Sequence, residues 1–392
     1  MTIPTPSGLA TLATQCRERF FSLAPDIDIV ITSDPIHIGY LSGYRSILHD
    51  MPGYRQALIA TRERIALITG ASDGAAALEV LGDPEAIWRY GLFFVERRGE
   101  TAGYPEMPAA SEDFDGALKA ALASFAPAGR TIGLDIPDAT GHAFLRDGLP
   151  ASKLVETSAA FHQSRLIKLD GELDLLRKAS RITDDAIAAI HPLVRAGVSE
   201  LEISAEISRH IVRNGGISRF TVVTSGERSS RVDAYATDRK LADGDLVRLD
   251  IGCTVGGYYS DMARTLITGE PCDEQAARYQ SLLDGETAQI EMLRPGVAAS
   301  DIYDVAMRTV REGALPGYNR NHCGHAIGLK AHEYPAIAPG QDVILEPGMV
   351  FCVETPYYEI GWGGMMVEDT AIITERGHEL LTVSSRQLRP MV

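Results

Sequence analysis

The sequence predicts an α+β protein of two domains, and three observations carry that expectation. The first is length: 392 residues exceed what one ordinary core organises, since domains centre on about 100–150 residues. The second is a change of hydrophobic period, from short apolar runs between polar helical stretches to long amphipathic helices beyond Gly171,. The third is an internal repeat in the C-terminal part. Together they place a smaller α/β domain at residues 1–163 and a larger α+β domain at residues 164–392.

In the first domain IDIVIT (27–32) reads as a strand, and ALIAT (57–61) and IALITG (65–70) form a hairpin through the charged turn Arg62–Arg64,. TIGLDIP (131–137) is a further strand closed by Pro137, which lacks the N–H a ladder needs,. Nothing in this region has the spacing of a chemical site. In the second domain Leu173, Leu176, Ala179, Ile182, Ala186, Ile187 and Ile190 recur at helical spacing,. Ser199 with Glu202 is a capping box,. It opens a helix expected to turn Leu201, Ile203 and Ile207 inward and to stop at Gly215–Gly216,.

The repeat begins with Arg195-Ala-Gly197-Val198 and returns as Arg294-Pro-Gly296-Val297, each followed by a helix, the second carrying Ile302 and Val305,. Each half then reaches a glycine turn and an apolar strand ending in an acid: Gly244 to Asp250, and Gly348 to Glu354. Each strand is followed by another bearing a second acid, Asp261 or Glu368. Two related units packed about a pseudo-twofold axis would bring four carboxylates to one centre.

Composition removes several functional classes. The net charge of −16 repels phosphates, which argues against nucleic acid and anionic membranes as partners. No apolar stretch approaches the roughly 20 residues of a membrane span, and the N-terminal segment lacks the pattern of a signal peptide,. Five cysteines without CxxC spacing argue against a disulfide framework and fit a reducing, cytoplasmic compartment,. Cys253, Cys323 and Cys352 adjoin candidate site residues, where buried packing is the expected role,.

A turn at Val255–Gly256 would set Asp250 directly opposite Asp261 on one face of a hairpin,. Paired carboxylates among Leu249, Ile251, Met262 and Leu266 are costly unless a cation neutralises them,. Asp and Glu oxygens with an imidazole suit Mn²⁺, Co²⁺, Fe²⁺ or Zn²⁺. The imidazole is sought in NHCGHAIGLKAHEYP (321–335), where Gly324 and Gly328 flank His325, the candidate ligand,. His332 is a candidate catalytic group, and His322 a candidate for orienting a ligand or contacting substrate,.

LVRLDIG (246–252), YYSDMART (258–265), GHAIGLKAHE (324–333), LEPGMVFCVE (345–354) and VEDT (367–370) resemble the creatinase/prolidase/aminopeptidase P family. The resemblance implies a pita-bread catalytic domain, a creatinase-type N-terminal domain and a homodimer in which one N-terminal domain borders the other subunit's site. It also implies two divalent ions: Asp250 on one, His325 and Glu354 on the other, with Asp261 and Glu368 bridging. Glu354 would then shuttle the proton of an activated water, and His332 would hydrogen-bond the oxyanion,.

Two positions depart from the peptidase branch. Asp233 stands where the family usually has histidine, and Met366 where it usually has arginine, a carboxylate fork that methionine cannot replace,. The leading reading is an Xaa-Pro peptidase-like hydrolase acting on a short peptide. The alternative is a small-metabolite enzyme of the same fold, a creatinase-like hydrolase or a sulfonium lyase, with a cationic or neutral substrate. Arg231, Arg264 or a partner subunit are the sources from which a missing positive charge is expected. A non-catalytic binding module is a third reading, opposed by the retention of all five ligand types.

Overall fold

A computed structural model describes residues 4–48, 51, 53–96, 105–136 and 152–388; Pro137 lies outside them. The chain divides into two compact units, Met1–Arg165 and Leu166–Val392.

In the first unit the strands β1 (Ile29–Thr32), β2 (Ala57–Ala60), β3 (Ile65–Gly70), β4 (Ile87–Tyr90), β5 (Thr131–Asp135) and β6 (Lys153–Glu156) form a mixed sheet, ordered β4-β3-β2-β1-β5-β6. The expected hairpin is β2–β3, with Leu58 opposite Leu67 and the Thr61 N–H bonded to the Arg64 carbonyl. Helices α1 (Pro6–Leu23), α2 (Pro35–Ser42), α3 (Gly74–Leu81), α4 (Phe114–Ala123) and α5 (Ser158–Leu166) accompany it. Phe114 and Leu118 of α4 bury against Ile29, Ile31, Ile59 and Ile68, because alternate strand residues face one side,.

The second unit is built twice. Helices α6 (Asp170–Ile190) and α7 (Glu200–Arg213) precede β7 (Ile217–Ser225), β8 (Leu246–Val255), β9 (Tyr258–Tyr259) and β10 (Met262–Ile267). Helices α8 (Asp273–Met292) and α9 (Ala299–Glu312) precede β11 (Gly324–Ala326), β12 (Glu333–Ala336), β13 (Val350–Glu354), β14 (Tyr357–Glu359), β15 (Gly363–Met365), β16 (Glu368–Thr374) and β17 (Gly377–Leu380). One curved sheet runs β12-β11-β13-β16-β10-β8-β7.

The repeat is visible in the backbone. Gly197 and Gly296 have φ of 87° and 88°, and Gly244 and Gly348 have 80° and 89°, conformations that cost glycine least. Ser199 bridges Lys240 in one half, as Ala298 bridges Ile344 in the other.

The capping box forms, with Ser199 N–H donating to Glu202 and Glu202 N–H to Ser199 Oγ. Leu201, however, is 50% exposed. The buried row of α7 is Ile203, Ile207 and Ile211. Leu201 lies two residues off that row, about 200° around the helix at 100° per residue, so it cannot face inward with them. In α9 Ile302 is buried but Val305 only half-buried, because Ala306 and Val310 carry the row.

Candidate metal centre

Strand alternation separates core from site in the second unit. Phe351 and Val353 of β13, and Ala371 and Ile373 of β16, join the core under α8 and α9. Cys352, Glu354, Glu368 and Thr370 therefore turn to the opposite face. Glu354 pairs directly with Glu368, Glu368 with Ala263, and Ala263 with Asp250. Three carboxylates thus lie in one row across four strands.

Asp261 enters differently from the expected arrangement. The β8–β9 turn is Gly256–Gly257, with φ of 56° and 86°, not Val255–Gly256. Two consecutive positive φ angles make a two-residue hairpin turn that only glycine adopts cheaply. The register moves accordingly: Asp250 faces Ala263, and Asp261 sits diagonally from Asp250 on the same face,. The ladder is interrupted there. Cys253 N–H donates to Ser260 Oγ at 3.0 Å, and Thr370 Oγ1 donates to the Asp261 carbonyl at 2.7 Å.

His325 comes from β11, opposite Cys352. Gly324 precedes it with φ of 145°, and a Cβ there would lie 2.2 Å from the Cys352 carbonyl oxygen, so only glycine lets β11 approach this closely. His325 Nε2 lies 3.8 Å from Asp261 Oδ2 and 3.8 Å from Glu368 Oε1. These separations are too long for hydrogen bonds and suit donors sharing an ion. Asp261, His325, Glu368 and Cys352 each place one donor atom within 4.8 Å of the others.

Asp250 and Glu354 line the same cavity but lie outside that cluster. Asp250 Oδ2 is 3.7 Å from Arg248 Nη1. His322 Nε2–H donates to Glu354 Oε1 at 3.1 Å. His332 stacks on His325 with ring centroids 3.7 Å apart.

The electrostatics mark this place as one that wants a cation. Burial pushes the Asp250 carboxyl up to about 6 against the pull of Arg248. Burial, then neighbouring carboxylates, raise Asp261 and Glu368 well above their ordinary range. Burial also raises Glu354, but His322, His325 and Arg320 outweigh it and the net shift is downward. His325 is itself lowered to about 4, first by burial and then by His332; at neutral pH it is an uncharged ligand, leaving Arg320 and the His322 hydrogen bond to hold Glu354 ionised. Asp261 Oδ1 and Glu368 Oε2 are buried without a hydrogen-bond partner. Protonation would neutralise these carboxyls yet leave acceptors unfilled, whereas a divalent ion answers both needs. The donor set fits such an ion.

The sequence profile of metallopeptidase family M24 matches residues 174–375. The chain belongs to this family. The Xaa-Pro dipeptidase of Pyrococcus furiosus is 32% identical over 226 residues, covering 57% of this chain and 65% of that protein. The probable dipeptidase PepE of Mycobacterium tuberculosis (strain ATCC 25618 / H37Rv) is 36% identical over 249 residues, covering 61% and 66%. The chain thus spans a little under two thirds of the length of these relatives. The solved structure of the Xaa-Pro dipeptidase from Bacillus anthracis superposes with a TM-score of 0.77 at 26% identity, over 96% of this chain and 99% of that one. The fold is therefore the pita-bread arrangement, and the M24 family implies divalent metal binding.

In this M24 chain both departing residues line the cavity of about 680 Å³ that holds the candidate ligands. Asp233 is exposed at its wall. Met366 is buried, and Tyr358 Oη donates to its sulfur at 3.6 Å. The positive charge comes from neither arginine expected to supply it. Arg264 lies on the core side, bonded to Asp369 at 2.6 Å, and Arg231 is exposed and outside the cavity lining. Arg320 and Arg219 line the cavity instead, so it is not the one-sidedly negative pocket that Asp233 and Met366 alone suggest. Alternation in LVRLD could have put Arg248 on the site face beside Asp250; no spacing signal announced Arg320.

Proposed function

We propose that the protein is a metal-dependent dipeptidase that hydrolyses the peptide C–N bond of a short zwitterionic peptide of Xaa-Pro type. One observation carries this reading: the cavity around the candidate ligands is lined by a carboxylate, Asp233, and by a guanidinium, Arg320. A dipeptide offers an ammonium and a carboxylate at its two ends, and these two side chains complement them. The dipeptidase names of the relatives support the same substrate class.

Asp250, Asp261, His325, Glu354 and Glu368, which line one cavity, would hold two divalent ions. When bound, such ions supply Lewis acidity, lowering the pKa of water and polarising the scissile carbonyl. Glu354, kept ionised by its His322 hydrogen bond, accepts a proton from the attacking water and returns it to the leaving nitrogen. His332, held by stacking on His325, donates a hydrogen bond to the carbonyl oxygen as it becomes negative. Asp233 and Arg320 align the peptide so that its C–N bond meets these groups. Five free cysteines fit a reducing compartment, and we place the enzyme in the cytoplasm.

Met366 and Asp233 favour a second reading, a cationic or neutral metabolite as substrate. Metal-loaded protein should be offered Gly-Pro, N-acetyl-Gly-Pro, Gly-Pro-amide, Ala-Pro-Ala and creatine. Gly-Pro is expected to be cleaved best, with kcat/KM lost when either terminus is blocked, and Arg320→Gln should raise KM for Gly-Pro but not for its amide. Turnover of creatine with none of Gly-Pro would establish the second reading instead.

A further inference from the structure

We infer that Cys352 is a metal donor, so that the position held by His325 and Glu354 gains a thiolate and selects a thiophilic ion. The inference rests on the metal-centre reading above and adds to it a ligand and a choice of metal.

Three observations lead there. Cys352 lies two residues before Glu354 on β13, opposite His325 on β11 and opposite Thr370 on β16; alternation therefore aims its side chain at the site face. Its sulfur falls within 4.8 Å of donor atoms from Asp261, His325 and Glu368. Donors sharing one ion stand roughly 3–3.6 Å apart when metal–oxygen and metal–nitrogen bonds are near 2.1 Å and metal–sulfur bonds near 2.3 Å. The 3.8 Å separations of His325 Nε2 from both carboxylates already approach that spacing.

Two of these residues also carry orphaned atoms. Asp261 Oδ1 and Glu368 Oε2 are buried without partners, and both residues are at least nine-tenths buried. The sulfur is open to coordination too. Cys352 Sγ lies 3.4 Å from Thr370 Oγ1, but Thr370 spends its one hydroxyl proton on the Asp261 carbonyl. The thiol is therefore the donor in that contact, and no donor among the described residues engages the sulfur lone pairs.

On binding, a divalent ion forms a bond to Sγ and the thiol proton leaves to water, with no change of oxidation state. Thiolate prefers Zn²⁺ or Co²⁺ over Mn²⁺ or Mg²⁺. A site of carboxylates and imidazole alone follows the same order of divalent ions but discriminates between them less.

Cobalt(II) titrated into metal-free full-length protein tests this by absorption spectroscopy. A sulfur-to-cobalt charge-transfer band in the near ultraviolet is expected alongside the visible ligand-field bands. Cys352→Ser should abolish the ultraviolet band, retain visible bands and circular dichroism, and weaken Zn²⁺ binding by more than the roughly 10–100-fold that loss of a ligand's outer partner costs, while leaving Mn²⁺ binding nearly unchanged. Stoichiometric cobalt without the ultraviolet band, or a band that survives Cys352→Ser, overturns the inference. Failure to bind cobalt at all would instead sink the metal-centre reading. Should Cys352→Ser fail to fold, Cys352→Thr serves the same comparison.

Discussion

Arg248 and Met366 are joined through one residue: Thr265 pairs with Arg248 across the β8–β10 ladder, and its hydroxyl donates to the Met366 carbonyl and accepts from the Met366 N–H. Both side chains also meet at Tyr358, whose ring lies 5.2 Å from the Arg248 guanidinium carbon and whose hydroxyl reaches the Met366 sulfur. A guanidinium on β8 and a thioether beside β16 thus meet at one ring, that of Tyr358, which lines the cavity. Met366→Arg would crowd two guanidinium groups there. We expect that variant to be destabilised, and Met366→Arg with Arg248→Leu to be less destabilised than the two single changes sum to. Neighbouring sites couple by about 0.5–3 kcal/mol, and urea unfolding of the four proteins would measure it. Strict additivity would show that the two positions do not compete.

Arg248 also holds backbone. Its guanidinium donates to the carbonyls of Ser229, Arg231 and Val232, the segment that leads into Asp233. Arg248→Leu should cost on the order of 3 kcal/mol or more, since each hydrogen bond from a charged donor contributes about 1.5–3 kcal/mol. It should also raise affinity for a divalent ion at Asp250, because the nearest positive charge is removed. Isothermal titration with Mn²⁺ separates the two effects; unchanged affinity would mean Arg248 serves only the loop.

Asp261 is the candidate ligand whose loss should be cleanest. Asp261→Ala removes a buried carboxyl whose ionisation is already opposed by burial and by Asp250. The metal-free variant should melt no lower than the metal-free parent, while bound metal falls and peptide turnover disappears. Full metal content by elemental analysis, with activity retained, would remove Asp261 from the centre.

His332 should matter to the reaction more than to metal affinity. An oxyanion donor is worth about 10²–10³ in kcat, so His332→Ala is expected to lose that much while binding metal normally. His325→Ala should lose the metal itself. Equal loss of metal from both variants would make His332 a ligand.

The metal-free protein should lose stability as pH rises. Asp250 titrates at about 6 when folded against 3.8 ordinarily. Between those values the folded state binds more protons than the unfolded state, so ionisation favours unfolding. Asp261 and Glu368, also raised, add to the fall. His325, lowered from 6.5 to about 4, works in the opposite direction, as do His332 and Glu354, which are also lowered, but Asp261 and Glu368 are raised well above their ordinary range. Thermal melts from pH 4 to pH 6 with chelator should therefore fall, and manganese should reverse the trend because ions and protons compete for the same oxygens. A chelated protein that gains stability across this range would contradict the burial of these acids.

Much of this was legible in the sequence because it depends on local period. Ser199 with Glu202 announced a helix start, the paired glycines announced the repeat, and the acids six residues beyond Gly244 and Gly348 announced two strands whose carboxylates lie in one row. Family motifs named Asp250, Asp261, His325, Glu354 and Glu368, and all five line one cavity. What depends on register was not legible. One residue's difference in the β8–β9 turn moves the partner of Asp250 from Asp261 to Ala263, and no propensity fixes that step; Gly256 and Gly257 do so only through their backbone angles. What depends on long-range approach was hidden too. Cys352 reads as one more apolar strand residue until β11 and β16 close on either side of it, and Arg320 reads as a loop charge until that loop reaches the cavity wall. Side-chain period is inherited from the neighbouring residues, whereas the distance between strands 27 residues apart is set by the packing of the whole sheet, and there only the tertiary structure decides.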